Sequence, residues 1–297
     1  MHTTSARLWF KAVRAYAYPA SIVPILLGGV YARHETGWLL PGHLLLALAA
    51  GMLYHTGCNL LNDYYDYRYG VDRPGAFGGN GLLVSGMMTP RQIALGAWAS
   101  LAVGSLIGFY FVCRYGLPVL VIGIAGFLGA VFYTATPYGL KYHALGEPLV
   151  FLMMGVGMVL GGFATQGAGV SARACAASLP VAFLVAAILQ ANDTRDIAGD
   201  RESGVTTLSV ILGPRGARIL YVLLLAAAYV SLAALAAGRI VPRLSLLALL
   251  SLPLAWRVSA RFAAVPNEND ARLASAARDT ALLHLVFGLL MTAGIVF

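Results

Sequence analysis

Charge is scarce in this chain. Asp, Glu, Lys and Arg together make up 11% of its 297 residues, where a soluble globular domain carries roughly 25%, and that deficit argues against a soluble single-domain enzyme. Acids are the rarer sign, 12 against 20 Lys and Arg. Cysteine is nearly missing too. Cys58, Cys113 and Cys175 lie far apart with no CxxC spacing, which removes a disulfide framework and a cysteine metal site and leaves three small buried hydrophobes. The short alternating segments of a transmembrane β-barrel are also lacking. Arg7, Lys11 and Arg14 precede an apolar run to about Val30; no small-x-small cleavage site follows, so this run is expected to be a retained first helix.

What is present is length and greasiness. Hydrophobic residues make up 59% of the chain and the mean hydropathy is +0.77. Repeated apolar stretches of about 18 residues or more suffice to cross a roughly 30 Å hydrocarbon core. Breaking the profile at Gly, Pro and charge clusters predicts an all-α membrane bundle, one domain over 1–297, of about nine helices near 15–32, 43–62, 92–112, 117–134, 147–167, 178–194, 217–237, 244–256 and 280–297. The eighth is short enough to lie at an interface. With a cytoplasmic N-terminus, 15 cations including Arg272 fall inside and five (Arg33, Arg114, Arg173, Arg239, Arg243) outside. That split supports this orientation in a cytoplasmic (inner) membrane, and it accounts for the net charge of +8 without nucleic-acid binding. The longer linkers, 67–91 and 197–216, fall on the cytoplasmic side and are expected to form a cap.

Seven of the 12 acids occupy two windows: Asp63, Asp66 and Asp72, then Asp193, Asp196, Asp200 and Glu202. Ionisable groups at membrane depth are costly, so such clustering points to a function. Asn62-Asp63-Tyr64-Tyr65-Asp66 and Asn192-Asp193-Thr194-Arg195-Asp196 share the pattern NDxxD at the ends of the second and sixth segments. That placement suggests a four-helix pseudo-repeat bringing two acidic helix ends to one cavity. Residues four apart share a helix face, so Asn62 and Asp66 project together, as do Asn192, Asp196 and Asp200. Such hard oxygen ligands suit Mg²⁺, which keeps waters and bridges to substrate phosphates. Asp72 follows Gly70, where a helix can end, and would reach the metal from a loop. Asp63 and Asp193 point roughly 100° away, as apt for a structural role as for a ligand's support. Arg68, Arg195 and Arg201 either clamp phosphate or neutralise the acids. Lys141, between the fourth and fifth segments, reaches the same face or serves as a topology residue. Tyrosines crowd this end, most reading as an interfacial belt; Tyr133 is assigned to the substrate, where a ring face can stabilise a cation.

With these windows, the chain resembles the UbiA superfamily of intramembrane prenyltransferases. The stretches that carry the resemblance are NDYYDYRYGVD at 62–72, LVSGMMTPRQ at 83–92, YTATPYGLKYHALGE at 133–147 and NDTRDIAGDRESGVTTLSVILG at 192–213, with RAYAYPASIVPILLG at 14–28. Gly70 and Asp72 tilt it toward the 1,4-dihydroxy-2-naphthoate branch. The resemblance implies that Asn62, Asp66, Asp72, Asn192, Asp196 and Asp200 bind Mg²⁺ and an isoprenyl diphosphate, that Lys141 contacts the leaving group, and that Arg14, Arg68, Arg195 and Arg201 are further diphosphate contacts. Asp66, Asp196 and Lys141 would then be catalytic, with Asp66, Asp72, Asp196 and Asp200 as metal ligands, and Glu147 would orient or deprotonate the aromatic acceptor or else cap its helix. Gly155-Val156 stands where Gly-Pro is frequent, and Val205 where a basic residue is usual. These departures leave 4-hydroxybenzoate or another quinone precursor open as acceptor. A cation-coupled transporter is the remote alternative; its acids belong near the bilayer midplane on broken helices.

Overall fold

A computed structural model describes residues 5–74, 79–263, 273 and 275–297; Arg272 of the charge count lies outside them. Every regular element among these residues is helical. Helix α1 (Ser5–Ala12) and a 3₁₀ turn (Ala15–Ala17) meet α2 (Pro19–Thr36) at a 55° bend. Then come α3 (Pro41–Arg68), α4 (Pro90–Tyr115) and α5 (Leu117–Phe132). A fifth span over 146–168 alternates α6 (Gly146–Val150), a π-helical stretch (Phe151–Gly157), α7 (Met158–Phe163) and a second π-helical turn (Ala164–Ala168). Next are α8 (Ala172–Glu202) and α9 (Leu208–Ala237). A 3₁₀-helix (Arg243–Ser251) runs into α10 (Leu252–Ala263), and α11 (Ala276–Val296) closes the bundle. Local chemistry sets the starts: proline sits in the first turn of α2, α3, α4 and α5, where its missing N–H costs nothing, and Thr89 with Gln92 forms a reciprocal capping box on α4.

Seven helices are long and apolar enough to cross a membrane, and the bent α1–α2 pair makes an eighth. The shorter apolar α5 occupies the place of the remaining expected segment, so the nine apolar segments are all helical. Two expectations need correction. The supposed linker 197–216 is mostly helix: α8 continues through both motif acids to Glu202, residues 203–207 make the turn, and α9 starts at Leu208 and breaks at Gly213 (φ 66°) before Pro214. Charge had masked a helix whose acids Asp193 and Asp200 are buried rather than solvated. The eighth segment is likewise no short interfacial piece but a 20-residue span over 243–262.

Two polar ends emerge from the contacts. At one, Arg14 meets Asp63, Lys141 meets Asp66 and Arg73 meets Glu202. At the other, Arg173 pairs with Glu35, and His43 bonds Tyr110 and Tyr115. The pseudo-repeat shows in two broad antiparallel pairings, α3 with α4 and α8 with α9. α8 is the most enclosed span, 67% of its apolar window being buried against 22% for α4, so the second motif rides on the least lipid-exposed helix. Glycine permits the closest approaches. A Cβ on Gly28 would fall 2.1 Å from the Val159 carbonyl oxygen, and one on Gly162 2.4 Å from that of Ile25; α2 and α7 therefore touch backbone to backbone, as small residues allow in membranes.

The 3₁₀ segment carries a period of three. Ser245, Ala248 and Ser251 are buried while Leu244, Leu247 and Leu250 are exposed, because side chains three apart eclipse in this geometry. Between α2–α5, the fifth span and α8 lies a cavity of about 760 Å³, lined chiefly by apolar side chains and glycines.

Candidate active site

The site is built on the last turns of α3 and α8, next to that cavity, whose lining includes Asn59 one turn before Asn62, Asn192 of the second motif and Tyr133. Asn62, Asp63 and Asp66 are all buried. Asp66 is saturated with donors: its Oδ2 accepts from Lys141 Nζ at 2.8 Å and Asn62 Nδ2 at 2.6 Å, and its Oδ1 accepts from the Tyr142 hydroxyl at 2.7 Å. Lys141 Nζ also donates to Asn62 Oδ1 at 3.1 Å. The loop that delivers Lys141 and Tyr142 is anchored by backbone bonds, Lys141 N–H to the Tyr133 carbonyl and Thr206 N–H to the Tyr142 carbonyl, so one loop joins both motif regions. Burial opposes the charge on Lys141, but the neighbouring carboxylates, Asp66 first and then Asp193 and Asp200, hold its pKa above the ordinary lysine value. Burial and Asp66 together raise the Tyr142 phenol, which therefore stays a donor.

α3 ends at Arg68, and the N–H groups of Val71 and Asp72 fold back onto the Asp66 carbonyl while Gly70 takes a positive φ of 71°. This turn sets Asp72 beside the motif from a loop, as expected. Burial first, then repulsion by Asp66 and Asp63, pushes its pKa up to about 6. The Asp72 carboxylate also lies so near Gly79 that a Cβ there would fall 2.2 Å from Oδ2. On α8, Asp196 is clasped through both oxygens by its neighbour Arg195, at 2.7 and 2.6 Å. Asp200 is buried and accepts from the Thr207 hydroxyl at 3.5 Å. Asn192 and Tyr133 line the cavity.

Asn62, Asp66 and Lys141 thus form one hydrogen-bonded cluster, with Asp193 and Asp200 near enough to act on the lysine's charge. The arginines are placed otherwise. Arg14 lines the cavity but is ion-paired to Asp63, which also accepts from Asn80; Arg195 is held by Asp196; Arg68 is exposed and donates to the Tyr64 hydroxyl at 3.2 Å; Arg201 is exposed. Sequence reasoning missed Tyr142 as a partner of Asp66, although it adjoins Lys141, and it missed Asn80, which nothing in a glycine-rich loop singles out. Glu147 is buried in the first turn of α6, against Asp193, a position that serves either of the two readings given for it.

No group of three metal-binding side chains stands within coordinating distance among the described residues. The donor set is nonetheless the kind Mg²⁺ uses: hard carboxylate oxygens on two opposed helices, few per ion, with waters and substrate phosphates completing the shell. The charges of Asp66 and Asp63 add to burial in raising the Asp72 pKa, so carboxylates crowd where a divalent cation would offset their repulsion; Asp66, Asp72, Asp196 and Asp200 are the residues that would hold it, Asp66 and Asp196 in exchange for their present contacts with Lys141 and Arg195.

Residues 21–291 match the UbiA prenyltransferase family. The chain is 31% identical over 293 residues to 1,4-dihydroxy-2-naphthoate octaprenyltransferase of Bacillus subtilis (strain 168), covering 97% of this chain and 91% of that one. It is 29% identical over 286 residues to UbiA prenyltransferase domain-containing protein 1 of Gallus gallus, covering 96% and 83%. In fold it is similar to a UbiA homologue from Aeropyrum pernix K1, with a TM-score of 0.70 and 17% identity over 96% and 98% of the two chains. It is also similar to one from Archaeoglobus fulgidus bound to DMAPP and Mg²⁺, with 0.63 and 18% over 96% and 99%. Paired acidic helix ends beside an apolar cavity, helices long and apolar enough to cross a membrane and a family match over nearly the whole length make this chain an integral membrane prenyltransferase of the UbiA family.

Proposed function

We propose that this chain transfers a polyprenyl group from an isoprenyl diphosphate to 1,4-dihydroxy-2-naphthoate, in Mg²⁺-dependent fashion, as a step of menaquinone biosynthesis. The observation that carries the reading is the Asn62–Asp66–Lys141 cluster one helical turn beyond Asn59, which lines an apolar cavity of about 760 Å³ together with Asn192 and Tyr133: a charged head group and a hydrocarbon tail would find their partners side by side. The naphthoate acceptor is supported by the Bacillus subtilis relative. Gly155-Val156 and Val205 keep 4-hydroxybenzoate or another quinone precursor as the second reading. The division of 15 cations from five favours a cytoplasmic N-terminus and a site on the cytoplasmic side of the inner membrane.

Bound Mg²⁺ would supply positive charge to the leaving diphosphate, with Asp66, Asp72, Asp196 and Asp200 holding it and Asn62 and Asn192 positioning the head group. Lys141 is a fixed cation where negative charge grows as the allylic C–O bond breaks and its electrons pass to the diphosphate. That stabilisation is larger in the transition state than in the ground state. A π pair of the acceptor ring forms the bond to the allylic carbon, and the alkylated ring carbon then loses its proton to the released diphosphate, restoring the aromatic ring, while the apolar cavity walls keep water from the carbocation. Tyr133, on the wall, offers a ring face to it.

The test is purified protein with radiolabelled polyprenyl diphosphate and a panel of aromatic acids. The expected result is a labelled lipid with the naphthoate, lost in EDTA and restored by Mg²⁺. No product with any acceptor, or turnover undiminished in EDTA, overturns the reading. Retention of full activity by both Asp66→Ala and Asp196→Ala overturns the metal assignment.

A further inference from the structure

The end of the molecule remote from the site holds a second, unrelated constellation. A shallow cavity of about 420 Å³ is lined by His34, Ala236, Arg239, Val241, Pro242 and Arg243, within the size range of small-molecule sites. It lies at the C-terminal ends of α2 and α9 and the start of the 3₁₀ segment, hence at the membrane–water boundary. The sequence assigns only five arginines to this end against 15 cations to the other, and three of the five (Arg173, Arg239, Arg243) meet around one turn. Glu35, the acid of this end, is already paired with Arg173 at 3.1 Å.

The backbone at Arg239 adds an independent sign. Arg239 takes a left-handed conformation (φ 56°), while Gly238 beside it has an ordinary φ of −75°. Glycine is the usual occupant of such a position after a helix, and an arginine there carries a conformational cost. The turn does not need the side chain. It is held through backbone carbonyls, those of Arg239 and Ile240 accepting from Arg173 Nη2 at 3.0 and 3.4 Å and that of Ile240 accepting from the Tyr31 hydroxyl at 2.8 Å. Strain of this kind at a cationic pocket points to a ligand.

Directly beyond Arg243, the eclipsed leucines Leu244, Leu247 and Leu250 form a straight exposed ridge down the 3₁₀ segment. An anion pocket at a membrane boundary with an apolar ridge descending from it has the two-part chemistry of one molecule. We propose that Arg239, Arg243 and His34 bind the phosphate head group of an anionic phospholipid whose acyl chain lies along Leu244, Leu247 and Leu250. Guanidinium groups donate paired hydrogen bonds to phosphate oxygens.

The experiment uses the full protein in nanodiscs of phosphatidylcholine alone and of an equal mixture with phosphatidylglycerol, with native mass spectrometry of retained lipid. Wild type is expected to retain phosphatidylglycerol selectively. Arg239→Gly, which suits the local backbone and is expected to fold at least as well, and Arg243→Gln should each lower that retention about fivefold, with prenyl transfer in phosphatidylcholine unchanged. Leu247→Ser should lower it with no change in charge. Retention unaffected by either arginine substitution overturns the proposal. Displacement of the lipid by inorganic phosphate would reduce the site to one for a free anion and overturn it as well.

Discussion

Asp63 and Asp66 are three residues apart on one helix, yet the structure gives them different work. Asp66 faces Lys141, Tyr142 and Asn62, whereas Asp63 faces Arg14 and Asn80 and so ties the approach to α2 and the loop after α3 to the motif helix. Asp63→Ala would strand a largely buried guanidinium, at about 3 kcal/mol, and the expected outcome is a markedly lower melting temperature in detergent. Adding Arg14→Met should recover much of the loss. Asp66→Ala should abolish transfer and also lower the melting temperature, since it takes the acceptor from Lys141, Asn62 and Tyr142, but Arg14→Met should not recover that loss. Full transfer activity in Asp66→Ala, or rescue of its stability by Arg14→Met, would refute this division. Helical spacing made the shared face of Asn62 and Asp66 readable in the sequence. It did not reveal the Arg14–Asp63–Asn80 tie, since Asn80 reaches Asp63 by loop closure, which has no period, nor the pairing of Arg195 with its own neighbour Asp196, which depends on rotamers.

At the scale of elements, glycine distribution separates contact from open space. Gly28 and Gly162 bring α2 and α7 backbones together, while Gly126 on α5 has nothing within 4 Å of where a Cβ would stand. Gly28→Ala should therefore cost about 1–3 kcal/mol, read as a lower melting temperature, and Gly126→Ala should leave it unchanged. The reverse ranking would contradict the helix packing described. Apolar segments were legible as helices because length and hydropathy are enough. The extension of α8 to Glu202 was not, since its acids resemble a linker, and neither were the π-helical stretches at 151–157 and 164–168, where one residue more per turn leaves no mark in composition. The three-residue rhythm of Ser245, Ala248 and Ser251 was present in the sequence, and it takes the observed 3₁₀ geometry to give it meaning.

Across the whole molecule, the duplication seen in the two NDxxD windows corresponds to two helix hairpins, α3–α4 and α8–α9, joined at the site by the Lys141 loop and by the Arg73–Glu202 pair. The architecture also sets how the enzyme meets its donor. α5 forms one wall of the cavity with only 16 residues, a single buried side chain (Val119), and Val121 and Ile124 exposed on the same helix. At 1.5 Å per residue it spans about 24 Å, short of the roughly 30 Å hydrocarbon core. A tail in such a cavity stays in exchange with the bilayer, so the concentration that governs rate is a mole fraction in the lipid and not a molarity in the buffer. Adding inert phosphatidylcholine at fixed total donor and protein should then slow transfer in proportion to the dilution of donor in the membrane; a rate indifferent to added lipid would mean that the tail is drawn from water. For this protein the bilayer is less a container than the solvent of its second-order kinetics.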